Sequence, residues 1–115
     1  MLRFIFWLML GGILAISIMP AANAPTVFAD DKLNHILAFF VLSLMARILW
    51  PRINVLILAS MLTVFGGAIE LLQFSMGLGR QADWMDFAAD VFAILLGILF
   101  GQMVNGFRNR AAVNE

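Results

Sequence analysis

The chain has no cysteine and carries only 12% charged residues, seven basic and seven acidic among 115. Without cysteine there can be no disulfide and no thiolate metal ligand, and the redox compartment stays open. A net charge of zero leaves no nucleic-acid footprint, so no nucleic-acid partner is expected. The single histidine, His35, has no serine beside it, so no nucleophile motif is visible. Alternation of apolar and polar residues is also lacking, which argues against strands, and an open sheet cannot live in lipid. What is abundant is apolar side chain, 63% of the whole. A soluble domain runs nearer about half apolar and about a quarter charged. A small domain leaves most of its residues touching water and could not hide this much apolar surface. Lipid is the natural solvent for such a chain, and there is no room beside the apolar runs for a water-soluble catalytic domain.

The apolar residues fall into four runs. Phe4 to Met19 ends at Pro20, and Leu33 to Trp50 follows Asp30-Asp31-Lys32 and stops at Pro51. Ile53 to Met76 precedes Gly77-Leu78-Gly79-Arg80, and Phe87 to Val104 precedes a polar stretch. A hydrocarbon core roughly 30 Å thick needs about 20 helical residues per crossing. The expected fold is therefore all-α, an integral membrane bundle of four transmembrane helices at about 4–22, 32–50, 53–76 and 86–104. Residues 1–104 form one domain, and 105–115 a polar cytoplasmic tail. Ala22-Asn23-Ala24 also fits the cleavage site of a signal peptide, but one basic residue (Arg3) before the run and Pro25 after it favour a retained helix.

Orientation follows the basic residues. With an inside start, Arg3, Arg47, Arg52, Arg108 and Arg110 fall on the cytoplasmic side of the membrane, and only Lys32 and Arg80 outside. Both termini are then cytoplasmic, in a plasma or inner membrane. Trp50 lies at the inner interface and Trp84 at the outer one, as an aromatic belt would place them.

The acids gather on the other side. Asp30, Asp31, Glu70, Asp83, Asp86 and Asp90 all map to the outer half. His35 lies one turn below Asp31 on the same face, Asp90 one turn below Asp86, and Gln73 one turn above Glu70. Ionisable groups inside a membrane segment point into the bundle, because facing lipid costs several kcal/mol. His35, Glu70 and Asp90 are thus expected to converge in a shallow polar pocket opening outward, floored by Phe and Leu. The excess of acid there calls for a raised pKa, a cationic ligand or a bound cation. Asp31, Asp86 and Asp90 offer oxygen ligands for a divalent ion; no other cofactor is predicted.

These residues resemble the VanZ-like family, small membrane proteins named after an accessory protein of teicoplanin resistance. The family's Asp-Lys-x-x-His is matched by Asp31-Lys32-Leu33-Asn34-His35, its Glu-x-x-Gln by Glu70-Leu71-Leu72-Gln73, and its Gly-Arg by Gly79-Arg80. An Asp follows at Asp86, with glycines beyond at Gly97 and Gly101. The chain departs from the pattern at Asp90 (usually Asn), Ala93 (usually Gly) and Phe39 (often Tyr), and lacks a Pro near the Gly-Arg. The resemblance implies a cell-envelope or antibiotic-tolerance context more than a reaction.

The functional expectation is binding or modification of an amphiphilic envelope molecule, a lipid-linked precursor or a glycopeptide antibiotic. The binding residues are expected among Asp31, Lys32, His35, Glu70, Gln73, Arg80, Asp86 and Asp90, with Arg80 the best anion ligand because its planar guanidinium pairs bidentately with phosphate or carboxylate. A hydrolase or transferase using His35 with an acidic partner, or a structural subunit of a membrane complex, are the alternatives. An ion pathway fits less well, since the inner halves of the runs offer only Ser43, Ser60 and Thr63.

Overall fold

The computed structural model describes residues 2–17, 31–76 and 84–114. These form four helices and no strand: α1 (Leu2–Ser17), α2 (Asp31–Leu49), α3 (Val55–Met76) and α4 (Trp84–Asn114). Local chemistry sets the boundaries between α2 and α3. Pro51 disfavours helical geometry at the residue before it, and α2 ends at Leu49. The turn closes with Ile53 N–H donating to the Trp50 carbonyl at 3.3 Å. Asn54 then caps α3, its side-chain oxygen accepting from the Leu56 N–H at 2.8 Å.

One boundary differs from expectation. Helix α4 runs on to Asn114, so the stretch from 105 that reads as a tail is largely helical. Ala111, Ala112 and the arginines are strong helix formers, no proline interrupts them, and Gly106 alone is too mild a breaker to stop the helix. Helix α1 is described only to Ser17; residues 18–22 and the Ala22-Asn23-Ala24 site lie outside the described residues.

Two helices are long and apolar enough to cross a bilayer, over Val55–Leu72 and Phe87–Asn109. The apolar stretches Leu2–Ser17 and Leu33–Leu49 are shorter. At about 1.5 Å per residue these described stretches reach about 24–26 Å, against roughly 30 Å of hydrocarbon. The expected four helices are present, and among the described residues length and composition qualify two of them as spans. Only 28% and 33% of the two long windows are buried, whereas the core helix of a soluble protein would be mostly covered. Leu56, Val64, Leu71 and Phe74 of α3 and Phe92, Leu95 and Leu99 of α4 all face outward.

The most extensive interface joins α2 to α4. His35 meets Asp90, Ser43 meets Gly97, and Arg47 meets Gly101 and Gln102, so the two helices run parallel. Glycine makes this approach feasible. A Cβ at Gly97 would run into Ser43 Oγ and lie 2.6 Å from the Phe40 carbonyl oxygen. At Gly101 it would lie 2.7 Å from Arg47 Cβ. The spacing of these two glycines is the small-xxx-small pattern that lets helix backbones close up. Between the helices sits a core of Phe39, Leu42 and Ala46 from α2, Leu58, Leu62 and Ile69 from α3, and Ala93, Ile94 and Ile98 from α4. Helix α1 packs by its first turns on the far end of α2. Phe6 and Trp7 stack edge-on against Trp50, and the Arg3 guanidinium covers the same indole at 5.1 Å.

Candidate functional site

The bundle has two polar ends. Arg3, Arg47, Arg52 and Arg108 gather at one, tied by Arg3 donating to the Leu49 carbonyl and Arg47 to the Ile53 carbonyl. His35 lies 12 residues before Arg47 on α2, about 18 Å away along the axis at roughly 1.5 Å per residue. That is the other end, and three helices meet there.

His35 of α2, Glu70 of α3 and Asp90 of α4 form one cluster, with one ligand-capable atom of each lying within 4.8 Å of the others. Helix register brings them together. Gly97 and Gly101 set α4 close to α2 in parallel, and antiparallel α3 returns Glu70 to the same depth. Gly66, one turn before Glu70, keeps α3 near: a Cβ there would sit 3.3 Å from the Phe39 ring and 3.5 Å from Asp90 Oδ2. Asp90 is 2% exposed and Glu70 8%, so both carboxyls are withdrawn from bulk solvent. His35 Nδ1 stands 3.7 Å from Asp90 Oδ1, within electrostatic reach but too far for a hydrogen bond. Asp90 Oδ1 is buried and receives no hydrogen bond among the described residues. Phe39 lies near-parallel to the His35 ring at 6.5 Å, and Phe65 is tilted against Phe39 at 6.0 Å.

One imidazole and two carboxylates in such a group can hold a divalent metal, since nitrogen and oxygen donors suit zinc, manganese or iron. Two ligands on one ion, each about 2.1 Å from it, stand at most about 4.2 Å apart. Three donors placed tetrahedrally stand only about 3.4 Å apart, so a cluster whose atoms lie within 4.8 Å would have to close by about 1 Å at its widest gap. The same group can equally accept hydrogen bonds from a cationic or hydroxylated ligand.

Of the eight expected site residues, the structure unites these three. Asp31 and Lys32 begin α2, Gln73 lies in α3 and Asp86 in α4, but their side chains lie outside the described residues, as does all of Arg80. The cation set expected from Asp31, Asp86 and Asp90 is thus represented by Asp90 alone. His35 and Glu70, expected as its neighbours, are the donors brought to it.

A second polar feature lies at the arginine end and was not foreseen. Arg47 is buried, donating from Nε to Gln102 at 2.6 Å and from a terminal nitrogen to the Ile53 carbonyl at 2.6 Å, while the Asn105 amide donates to the Arg47 carbonyl. Sequence position assigned Arg47 to the membrane boundary but carried no sign of its partners on α4. Compared with family models, curated proteins and solved structures, the chain matches none.

Proposed function

We propose that this chain is a multi-pass protein of the cell membrane, VanZ-like in kind, whose His35–Glu70–Asp90 cluster forms the base of a site for an amphiphilic envelope molecule. The observation that carries the proposal is the meeting of three ionisable groups from three helices, Glu70 and Asp90 buried and His35 partly so, in a molecule whose outer surface is largely apolar. Polar groups so placed in a lipid-soluble bundle are expensive, and mark binding or transport sites. The position near one end of the bundle suits a ligand whose head group enters the polar layer while its apolar part stays among lipid. A lipid-linked precursor and a glycopeptide antibiotic both answer to that description. Arg80 and Lys32 are the groups proposed to hold its phosphate or carboxylate.

Extraction of bound lipid from the purified full-length protein tests this. A specific amphiphile should accompany the wild type and be lost from His35→Ala, Asp90→Asn and Arg80→Ala variants that still express. Equal lipid content in all four would contradict it.

A second reading has its own support: a divalent cation held by the same three side chains. Asp90 Oδ1, buried and without a hydrogen bond, is the kind of acceptor a metal would satisfy. Such an ion would also bridge the carboxylates to an anionic head group. A hydrolase or transferase draws on the approach of His35 to Asp90, whose 3.7 Å separation would have to shorten to a hydrogen bond for the carboxylate to orient the imidazole. Turnover of a lipid phosphate by purified protein is the result that would establish it. A through-route for ions finds less support. Ser43 donates to the Phe40 carbonyl at 3.0 Å, and the apolar core lies between the cluster and Arg47.

A further inference from the structure

Below the end of α2 lies a cavity of about 590 Å³ lined by Ile48, Pro51, Arg52, Asn105, Arg108 and Asn109. Among the described residues no acid contributes to its wall. Arg47 and Asn105 are engaged with each other and with Gln102 and Ile53, which fixes the back of the cavity. Arg52 and Arg108 are exposed, and neither makes an ion pair or hydrogen bond among the described residues. On the same α2–α4 seam runs a groove of about 400 Å³ lined solely by Phe40, Leu44, Phe100, Met103, Val104 and Phe107. Leu44 is one turn from Ile48 on α2 and Val104 one turn from Arg108 on α4, so by register the groove leads into the cavity.

We infer that this seam is a binding site for one anionic phospholipid, its phosphodiester held between Arg52 and Arg108 and an acyl chain lying in the apolar groove. Charge complementarity chooses the occupant. Two guanidiniums without a carboxylate favour a head group of net negative charge, and the planar fork pairs with two phosphate oxygens at once. A zwitterionic lipid would bring its own cation into the same space. The adjoining groove distinguishes a lipid from free phosphate, which has nothing to place there. Basic pockets between helices at the cytoplasmic face are known sites of anionic head groups, and the side bearing most of this chain's arginines is the one that positive-inside bias assigns to the cytoplasm. The inference needs the chain to reside in a bilayer but is independent of the ligand proposed for His35, Glu70 and Asp90.

The test uses the full-length protein in nanodiscs of phosphatidylcholine containing a minor share of phosphatidylglycerol, with the lipid retained on release counted by native mass spectrometry. The wild type and His35→Ala should each retain one phosphatidylglycerol in preference to phosphatidylcholine, and glycerophosphoglycerol, the head group without chains, should fail to displace it. An Arg52→Gln/Arg108→Gln double variant, its helix content checked by circular dichroism, should lose the preference by about tenfold. Val104→Trp, which fills the groove without touching charge, should lower retention too. Equal retention of the two lipids by wild type, an unchanged preference in the double variant, or displacement by the chain-free head group would each overturn the inference.

Discussion

Asp90 carries the chemistry of the cluster at the scale of single residues. It is the most deeply buried of the three ionisable groups, and one of its oxygens receives no hydrogen bond among the described residues. If the three side chains act together on a cation, equilibrium dialysis of the full-length protein against zinc or manganese should find one site. Asp90→Asn or His35→Ala should weaken it by on the order of 10- to 100-fold; binding that survives both substitutions would locate the metal elsewhere. At the other end Arg47 makes two short charge-assisted bonds that together hold the α2–α3 turn against α4. Arg47→Met keeps most of the side chain's bulk and removes both. Detergent-based unfolding should show a loss of about 3–6 kcal/mol, since such bonds contribute roughly 1.5–3 kcal/mol each. The sequence told these two ends apart unequally. The cost of a charge in lipid was enough to bring His35, Glu70 and Asp90 together in advance. Arg47 was legible only as a boundary residue, because a hydrogen-bond partner 55 positions away leaves no local trace. Asp31, Lys32, Gln73, Arg80 and Asp86 rest on register and family resemblance alone.

At the scale of the element, the seam between α2 and α4 positions the site. Gly97 and Gly101 let Ser43 and Arg47 approach the α4 backbone, and this sets the depth at which His35 faces Asp90. A side chain at Gly97 has no space, so Gly97→Leu should destabilise the fold by about 1–3 kcal/mol or more. It should also weaken ligand binding at His35 some 10 Å away, on the order of two helical turns. Gly106→Ala is the control on the same helix. Nothing lies within 4 Å of its Cβ, so it should be neutral or stabilise by about 0.5–1 kcal/mol through helix propensity. The glycine pair could be picked out from spacing, but spacing did not say which helix it would meet. Helix number and type were readable because apolar runs bounded by Pro20, Pro51 and the Gly77–Gly79 segment leave little choice. The end of α4 was not, since polarity after Val104 marks the edge of an apolar face rather than the end of a helix.

For the whole molecule, the described residues hold two helices of spanning length and two shorter apolar ones. The four-span topology predicts that residues 81 and 109 lie on opposite sides of the membrane. The absence of native cysteine makes this easy to read. In intact cells an impermeant maleimide should label Gln81→Cys from outside, and label Asn109→Cys only after the membrane is opened. Labelling of both from the same side would overturn the topology, and with it the cytoplasmic placement of the arginines. The same cysteine-free background gives the most direct test of the convergence of α2, α3 and α4. Cysteines placed in pairs at His35 with Asp90, and at Glu70 with Asp90, should be bridged within one chain by a short bifunctional thiosulfonate. A pair at His35 with Leu95, which faces outward from α4, should not. Bridging of the first two pairs well above the third is the predicted result; bridging of all three to the same low extent would mean that the three side chains do not share a site.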